Sequence, residues 1–200
     1  MKTRLIKIKG DWQEVINDCR ATVGKGELGH EPSESFKKKI LIAEHSPIRD
    51  IIFKWKWENI ESWIATHFVR HKWECFVKTQ RTDRTGIDRR ELPQSAEVDF
   101  TGEANVQALI DTARKRLCYM AAPETRKYME DLKYTITEKE KEIGDVLVPN
   151  CVYRGFCPEL SGCGFWEKFS KELTKEQLSS VERYRLYNEY IRRSDEQSNS

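Results

Sequence analysis

The residues best suited to chemistry are cations between positions 70 and 90. Arg70, His71 and Lys72 are consecutive, and Lys78 and Arg81 follow within ten residues. Cations at the end of a helix that packs on a core are costly unless they meet a negative group. A phosphate-bearing ligand would supply that group, because a guanidinium binds phosphate through two parallel hydrogen bonds. The alternative, a solvated basic turn between two elements, stays open.

This positive charge is local. Arg81, Arg84, Arg89 and Arg90 lie within ten residues of one another, whereas the whole chain carries 35 basic and 33 acidic residues and a net charge of +2. A long polyanion needs a broader basic footprint than this. We therefore expect a small anionic ligand and no nucleic-acid partner.

Side chains for other catalytic mechanisms are scarce. The only histidines are His30, His45, His67 and His71, and the chain has no nucleophile elbow, metalloprotease helix or phosphate-binding loop. Cys75 follows His71 by four residues, but a thiol nucleophile needs a base and an orienting partner, and burial is commoner for such a cysteine. If the chain is an enzyme, we expect a bound cofactor to carry the chemistry.

Three cysteines, Cys151, Cys157 and Cys163, recur every six residues in a turn-rich segment. Structural zinc prefers closely paired cysteines and a fourth donor, which Cys118 or Glu159 would have to supply here. We expect reduced cysteines in a packing segment and no metal, because six cysteines in 200 residues are not a dense disulfide framework. A zinc-bearing nucleic-acid module that combines these cysteines with the basic cluster stays open as an alternative.

Periodicity and capping signals predict the elements that position these residues. Phe53, Trp55 and Trp57 alternate with Lys54 and Lys56. The aromatic face of this strand is either half-buried in a sheet or a platform for a planar ring. The predicted elements are a strand over 5–9, helices after Asp11 and Ser33, a strand over 51–57, and helices over 60–71, 105–120, 123–142 and 178–191.

Length and composition suit one α+β domain, a mostly antiparallel sheet packed with several helices. We place this domain at residues 1–170, followed by a C-terminal helix and disordered tail at 171–200, where Thr174 and Gln177 resemble a capping box. No apolar run approaches the roughly 20 residues of a membrane helix, and the first residues lack an apolar signal core. We therefore expect a cytoplasmic protein without a membrane partner.

The motifs together resemble those of the flavin-dependent thymidylate synthases, in a short and diverged form. The family's R-H-R followed by S-x-R is similar to Arg70-His71-Lys72 followed by Thr79-Gln80-Arg81. Its upstream His-x-Ser segment resembles Glu44-His45-Ser46-Pro47, and its A-R-x-x-L-P resembles Arg89-Arg90-Glu91-Leu92-Pro93. Its N-x-R-x-L helix, which ends in arginine, is similar to the predicted helix that carries Asn105 and Arg116. The resemblance covers roughly residues 40 to 166, including a cysteine-rich end found in longer relatives.

The resemblance implies an enzyme that makes dTMP from dUMP with FAD, methylene-tetrahydrofolate and NADPH. It also implies a homotetramer with sites shared between subunits. The residues it assigns to FAD are Arg70, His71, Lys72, Ser46, Asn105 and Glu44. Those it assigns to the nucleotide are Arg81, Arg89, Thr79, Gln80 and His67. Arg116 would reach the pyrimidine and act as the catalytic residue.

The chain also departs from the family pattern. Lys72 replaces an arginine and loses its bidentate fork, Val77 and Lys78 stand where an Asn-Glu pair is expected, and Ala122 replaces a glutamine. FAD and a pyrimidine nucleotide are therefore firmer expectations than methylation of dUMP. Hydroxymethylation or methylation of another pyrimidine nucleotide, and a catalytically silent flavin- or nucleotide-binding homologue, stay as alternatives.

Overall fold

The computed structural model describes residues 2–174 and 179–198, which form an α+β fold. The strands are β1 (Arg4–Lys9), β2 (Ile52–Glu61), β3 (Glu74–Val77) and β4 (Glu97–Asn105). They form one sheet of order β1-β2-β4-β3 in which every pairing is antiparallel. The predicted fold class is confirmed.

The described helices vary from one turn to five. The longer ones are α1 (Trp12–Ala21), α2 (Glu34–Ile42), α3 (Ser62–Phe68), α5 (Val106–Arg116), α6 (Pro123–Thr137) and α10 (Ser180–Ser198). The shorter ones are α4 (Thr82–Thr85), α7 (Lys141–Val146), α8 (Asn150–Arg154) and α9 (Phe165–Phe169). No helix in the described ranges combines the length and apolarity needed to cross a bilayer.

The chain divides into two compact units. The first comprises Met1–Pro32 and Ser46–Ala108, and the second comprises Ser33–His45 and Leu109–Ser200. The expected boundary at residue 170 stays a prediction. Gln177, half of the expected capping box, and residues 199–200 at the end of the expected tail lie outside the described residues.

Aromatic rings fill the core of the first unit. Phe53, Trp55 and Trp57 on β2 are fully buried, so this face is core and the alternative of a platform for a planar ring is wrong. The Trp57 ring stacks on Phe100 of β4 with centroids 5.2 Å apart. Trp55 fits because β4 has a glycine beneath it, Gly102, where a Cβ would lie 2.5 Å from the indole.

The opposite face of the sheet is charged but largely neutralised. Lys54 and Lys9 both pair with Glu103, the former at 3.4 Å. Lys56 lies 3.1 Å from Asp99. The basic face expected from β2 is therefore matched by acids on β4, which the sequence pattern of β2 alone did not reveal.

The helix predicted over 60–71 is shorter in the structure. Ile60 belongs to β2, where an irregularity of pairing between Trp57 and Ile60 keeps both residues buried. The helix α3 then begins at Ser62 and ends at Phe68. Apolar residues three or four apart also fit a strand that contains such an irregularity, which explains the error.

The second unit consists of helices, and it buries two basic side chains. The helix predicted over 123–142 breaks after Thr137, and α7 packs against the end of α6 through Gly144. Lys133 donates hydrogen bonds to the carbonyls of Gly144 (2.6 Å) and Leu147 (2.8 Å). Arg183 of α10 donates in the same way to carbonyls of α8.

Candidate functional site

The predicted motif Arg70-His71-Lys72 forms the turn between α3 and β3. The turn is tight because the His71 N–H donates to the Phe68 carbonyl at 3.0 Å. Arg70 and Lys72 are exposed, and neither makes an ion pair with any described residue. The cost of burying cations, from which the phosphate hypothesis started, therefore does not apply here, but both side chains are available to an anion.

Trp73 anchors this turn to the core. Its ring stacks on Phe68 with centroids 5.3 Å apart, and the His71 ring lies 5.9 Å away. Trp73 is buried, and its indole N–H has no hydrogen-bond acceptor among the described residues. An unsatisfied buried donor is uncommon in folded proteins, and the neighbouring Trp55 N–H in the core is a second one, so the missing acceptor alone does not mark a ligand contact.

Two cations after β3, Arg81 and Arg90, differ from those of the turn because they already have acidic partners. Arg81 makes two parallel hydrogen bonds to Asp83, at 3.0 and 2.9 Å. Arg90 binds Asp88 at 2.7 Å, and these hydrogen bonds lower the pKa of the Asp88 carboxyl. The expectation that Arg81 is unpaired without a phosphate is therefore wrong, and a phosphate must compete with Asp83 for it.

A hollow of about 180 Å³ lies between α3 and the strands β3 and β4. Its wall is apolar apart from hydroxyls, one amide and one ammonium group. The lining residues are Ser62, Ala65, Thr66, Val69, Val77, Lys78, Gln80 and Val98. Pockets for whole drug-sized ligands start at about 300 Å³, so this hollow suits one ring of a larger ligand. The hollow lies beside both predicted groups of ligand-binding residues. Gln80, which was assigned to the nucleotide, lines it, and Arg70, which was assigned to FAD, directly follows the lining residue Val69.

Three other predicted residues of the first unit have local structural partners. The Asn105 side-chain oxygen accepts from the Ala108 N–H at 2.9 Å and so caps α5. The Thr79 hydroxyl accepts from the Arg81 N–H at 3.2 Å, and the His67 ring lies edge-on to Trp63 at 5.5 Å. Ser46 and Arg89 are exposed. The structure leaves the predicted ligand contacts of these residues untested.

Glu44 and Arg116 belong to the second unit. Glu44 lies two residues beyond the end of α2 and has a φ of 51°, an uncommon value for a residue with a side chain. Its carboxylate pairs with Arg114, whose guanidinium lies 3.6 Å from the centre of the Tyr153 ring. Arg116 is half-buried at the end of α5. The sequence analysis did not single out Arg114, although Arg114, Lys115 and Arg116 are consecutive.

The cysteines offer neither a nucleophile at Cys75 nor a ready metal site. Burial raises the pKa of the Cys75 thiol to about 11, and Glu74 adds to the effect, so the thiol is protonated near neutral pH. Within the described residues, no group of three or more His, Cys, Asp or Glu side chains could hold a metal ion.

Comparison with known proteins gives similarity at the level of structure only. No protein-family profile matches the sequence, and no curated protein matches it. Among solved structures, the UMP/dUMP methylase PolB from Streptomyces cacaoi, bound with 5-Br dUMP, is similar with a TM-score of 0.60 and 11% identity, over 78% of this chain and 95% of that chain. The flavin-dependent thymidylate synthase ThyX from Helicobacter pylori, complexed with FAD and dUMP, is similar with a TM-score of 0.61 and 11% identity, over 74% of this chain and 100% of that chain. The chain therefore has the fold of the flavin-dependent thymidylate synthases.

Proposed function

We propose that this chain is a flavin-dependent thymidylate synthase-like enzyme. It would reductively methylate dUMP to dTMP with methylene-tetrahydrofolate as the one-carbon donor and NADPH as the reductant. The observation that carries the proposal is the turn with Arg70 and Lys72, two exposed cations without ion pairs beside the hollow, in a fold shared with a nucleotide methylase and a thymidylate synthase.

The turn offers two exposed cations to the pyrophosphate of FAD. Arg70 and Lys72 give up no ion pair when they bind a pyrophosphate, and the Trp73 N–H, buried beside His71, lacks an acceptor. FAD would supply the hydride chemistry that no side chain in the hollow offers. We also assign Ser46, Asn105 and Glu44 to FAD on the resemblance. Asn105 would donate through its amide nitrogen, since its oxygen caps α5.

The hollow fits a pyrimidine base better than a whole nucleotide. Gln80 lines it, and its amide can accept from the pyrimidine N3–H while it donates to a neighbouring carbonyl. The phosphate would then lie outside, where we assign it to Arg81 and Arg89, with Thr79 and His67 as further nucleotide contacts. Asp83 holds the Arg81 guanidinium in a fixed orientation until the phosphate replaces it. Arg116 is assigned to the pyrimidine as the catalytic residue.

A second substrate, UMP, is supported by the similarity to a UMP/dUMP methylase. The two nucleotides differ only at the ribose 2′ position, so the same base and phosphate contacts would serve both. Transfer of a hydroxymethyl group instead of a methyl group would use the same residues. We also propose a cytoplasmic homotetramer, which light scattering of the purified protein tests for its assembly.

The first experiment is a visible absorption spectrum of the purified protein before and after loading with FAD. We expect a retained flavin band that changes when dUMP or UMP is added. Arg70→Ala should weaken FAD binding about 10- to 100-fold, because a charge-assisted hydrogen bond to phosphate contributes about 1.5–3 kcal/mol. Arg90→Ala is the matched control, since Arg90 is also exposed but is already paired with Asp88.

Turnover is measured next, as oxidation of NADPH that depends on nucleotide and methylene-tetrahydrofolate, with the product identified by mass. A methylated product from dUMP supports the first assignment, and one from UMP alone supports the second. A protein that binds FAD and nucleotide without turnover would be a silent homologue. A colourless protein that cannot be loaded with micromolar FAD would overturn the proposal.

A further inference from the structure

The cysteine-rich segment of the second unit has no role in the proposed reaction. Cys151 is buried in α8, Cys157 is half-buried after it, and Cys163 is exposed just before α9. Gly162 lies against the sulfur of Cys157, since a Cβ at position 162 would be 3.3 Å from it. The segment therefore folds back so that the Cys157 sulfur approaches the residue adjoining Cys163.

A fourth cysteine, Cys118, belongs to the same region. The ring of the next residue, Tyr119, stacks on Phe165 with centroids 4.8 Å apart, and Phe165 is only two residues beyond Cys163. Electrostatic interactions join Cys118 to both Cys157 and Cys163. The stretches that carry Cys118 and Cys163 are therefore packed against each other through Tyr119 and Phe165.

The four thiols fall into two pairs by accessibility. Burial raises the pKa of the Cys151 thiol to about 12, and burial also raises the pKa of Cys118. These two thiols stay protonated near neutral pH and are poor nucleophiles. Cys157 and Cys163 are the more accessible pair. Because thiol–disulfide chemistry needs an accessible thiol, it is this pair that is suited to it.

We propose that Cys157 and Cys163 form a reversible intramolecular disulfide in response to hydrogen peroxide. The exposed Cys163 thiolate attacks one peroxide oxygen, which breaks the O–O bond, and the departing hydroxide takes up a proton to leave water and a sulfenic acid. The Cys157 thiolate then attacks the sulfenic sulfur, and a second water leaves. Two thiols and one peroxide give one disulfide and two waters, so the thiols lose two electrons and the peroxide gains them.

The test uses the full-length protein and a stoichiometric amount of hydrogen peroxide. Trypsin cuts after Arg154 and Lys168, so one peptide, 155–168, contains Cys157 and Cys163 and no other cysteine. We expect two of the six free thiols to disappear, this peptide to lose the mass of two hydrogens, and both changes to reverse with dithiothreitol. Cys157→Ser should instead accumulate a Cys163 sulfenic acid, with several-fold more dimedone adduct than the unmodified chain.

The control is Cys75→Ser, which removes a cysteine of the first unit and should leave the oxidation unchanged. A disulfide that includes Cys118 or Cys151 would overturn the proposal, as would irreversible oxidation without any disulfide. Stoichiometric zinc in the purified protein, with all four thiols protected from alkylation until a chelator is added, would also overturn it and show a metal site instead. None of these outcomes depends on FAD binding or turnover.

Discussion

The two units of the chain stabilise themselves in different ways. The first buries aromatic rings such as Trp55 and Trp57 on one face of the sheet and keeps its charged pairs on the opposite face. The second buries Lys133 and Arg183, and backbone carbonyls satisfy both. The free energy of unfolding of the first unit should therefore depend mainly on the shape of its buried side chains. That of the second unit should depend on the charge of its buried side chains and on pH. The hollow and the turn 70–72 belong to the unit with the apolar core.

The largest effect that we expect in this comparison is from Gly102→Val. Its Cβ would lie 2.5 Å from the Trp55 indole, closer than packed atoms allow, so the ring must leave its edge-on contact with Trp73. Overpacking of this kind costs about 3 kcal/mol or more. Urea denaturation measures the loss, with Gly26→Val as the control because no heavy atom lies within 4 Å of the place that its Cβ would take. Equal stability of the two variants would contradict the shape-dependent core.

Arg183→Met tests the second unit and should cost about 3 kcal/mol, because it leaves the Val152 and Tyr153 carbonyls without their buried donor. The matched control is Arg185→Met on the same helix. Arg185 is exposed and pairs with Glu182 and Glu189, so its loss should cost much less than the loss of Arg183. If both variants unfold at the same urea concentration, the buried guanidinium is not what stabilises this unit.

Local signals predicted much of this fold. The Asp11 and Ser33 side chains cap α1 and α2 as expected, because capping depends only on residues three positions away. The strand β4 was missed although Val98, Phe100 and Ala104 alternate with polar residues. Its central glycine, Gly102, counts against a strand until its contact with Trp55 is known. The strand β3, at the edge of the sheet, has only four residues and no clear alternation of burial.

The candidate site was predictable as a group of cations but not as a geometry. The sequence shows that Arg70 and Arg81 are close along the chain, but it does not show whether either of them has an acidic partner. Only the structure shows that Asp83 neutralises Arg81 while Arg70 remains without an ion pair. The hollow was also unpredictable, because α3 and β4 are distant in sequence and their approach depends on the tertiary pairing of the sheet.

The pH dependence of the second unit depends on Lys133. Burial lowers the pKa of this amine from 10.5 to about 7. Below about pH 7 both the folded and unfolded chains hold the proton, and above it the folded chain loses the proton first. The unfolded chain then binds more protons, so the free energy of unfolding should rise with pH, by as much as about 1.4 kcal/mol per unit.

Lys133→Met should remove this slope, although the variant is less stable overall because the Gly144 and Leu147 carbonyls lose a donor. The measurement is urea denaturation from pH 7 to 8, below the ordinary pKa values of cysteine, about 8.5, and tyrosine, about 10. Parallel slopes for the variant and the unmodified chain would mean that Lys133 does not titrate in the folded state.

The smallest effect on the free energy of unfolding concerns the charged face of the sheet, opposite the aromatic core. Glu103 accepts a hydrogen bond from Lys9 and pairs with Lys54, and the Lys9 contact is the main reason that its pKa is lowered. Because the pKa of this carboxyl is lower in the folded chain than its ordinary value of 4.5, the ionised group stabilises the fold at pH values above 4.5. This stabilisation is lost as the pH falls through the lowered pKa. Glu103→Gln should therefore cost about 0.5–1 kcal/mol at pH 7, and less at acid pH or in high salt. Glu97→Gln, at an exposed position of the same strand, is the control. A loss for Glu103→Gln as large as that for Arg183→Met would show that charge stabilises the first unit as much as the second.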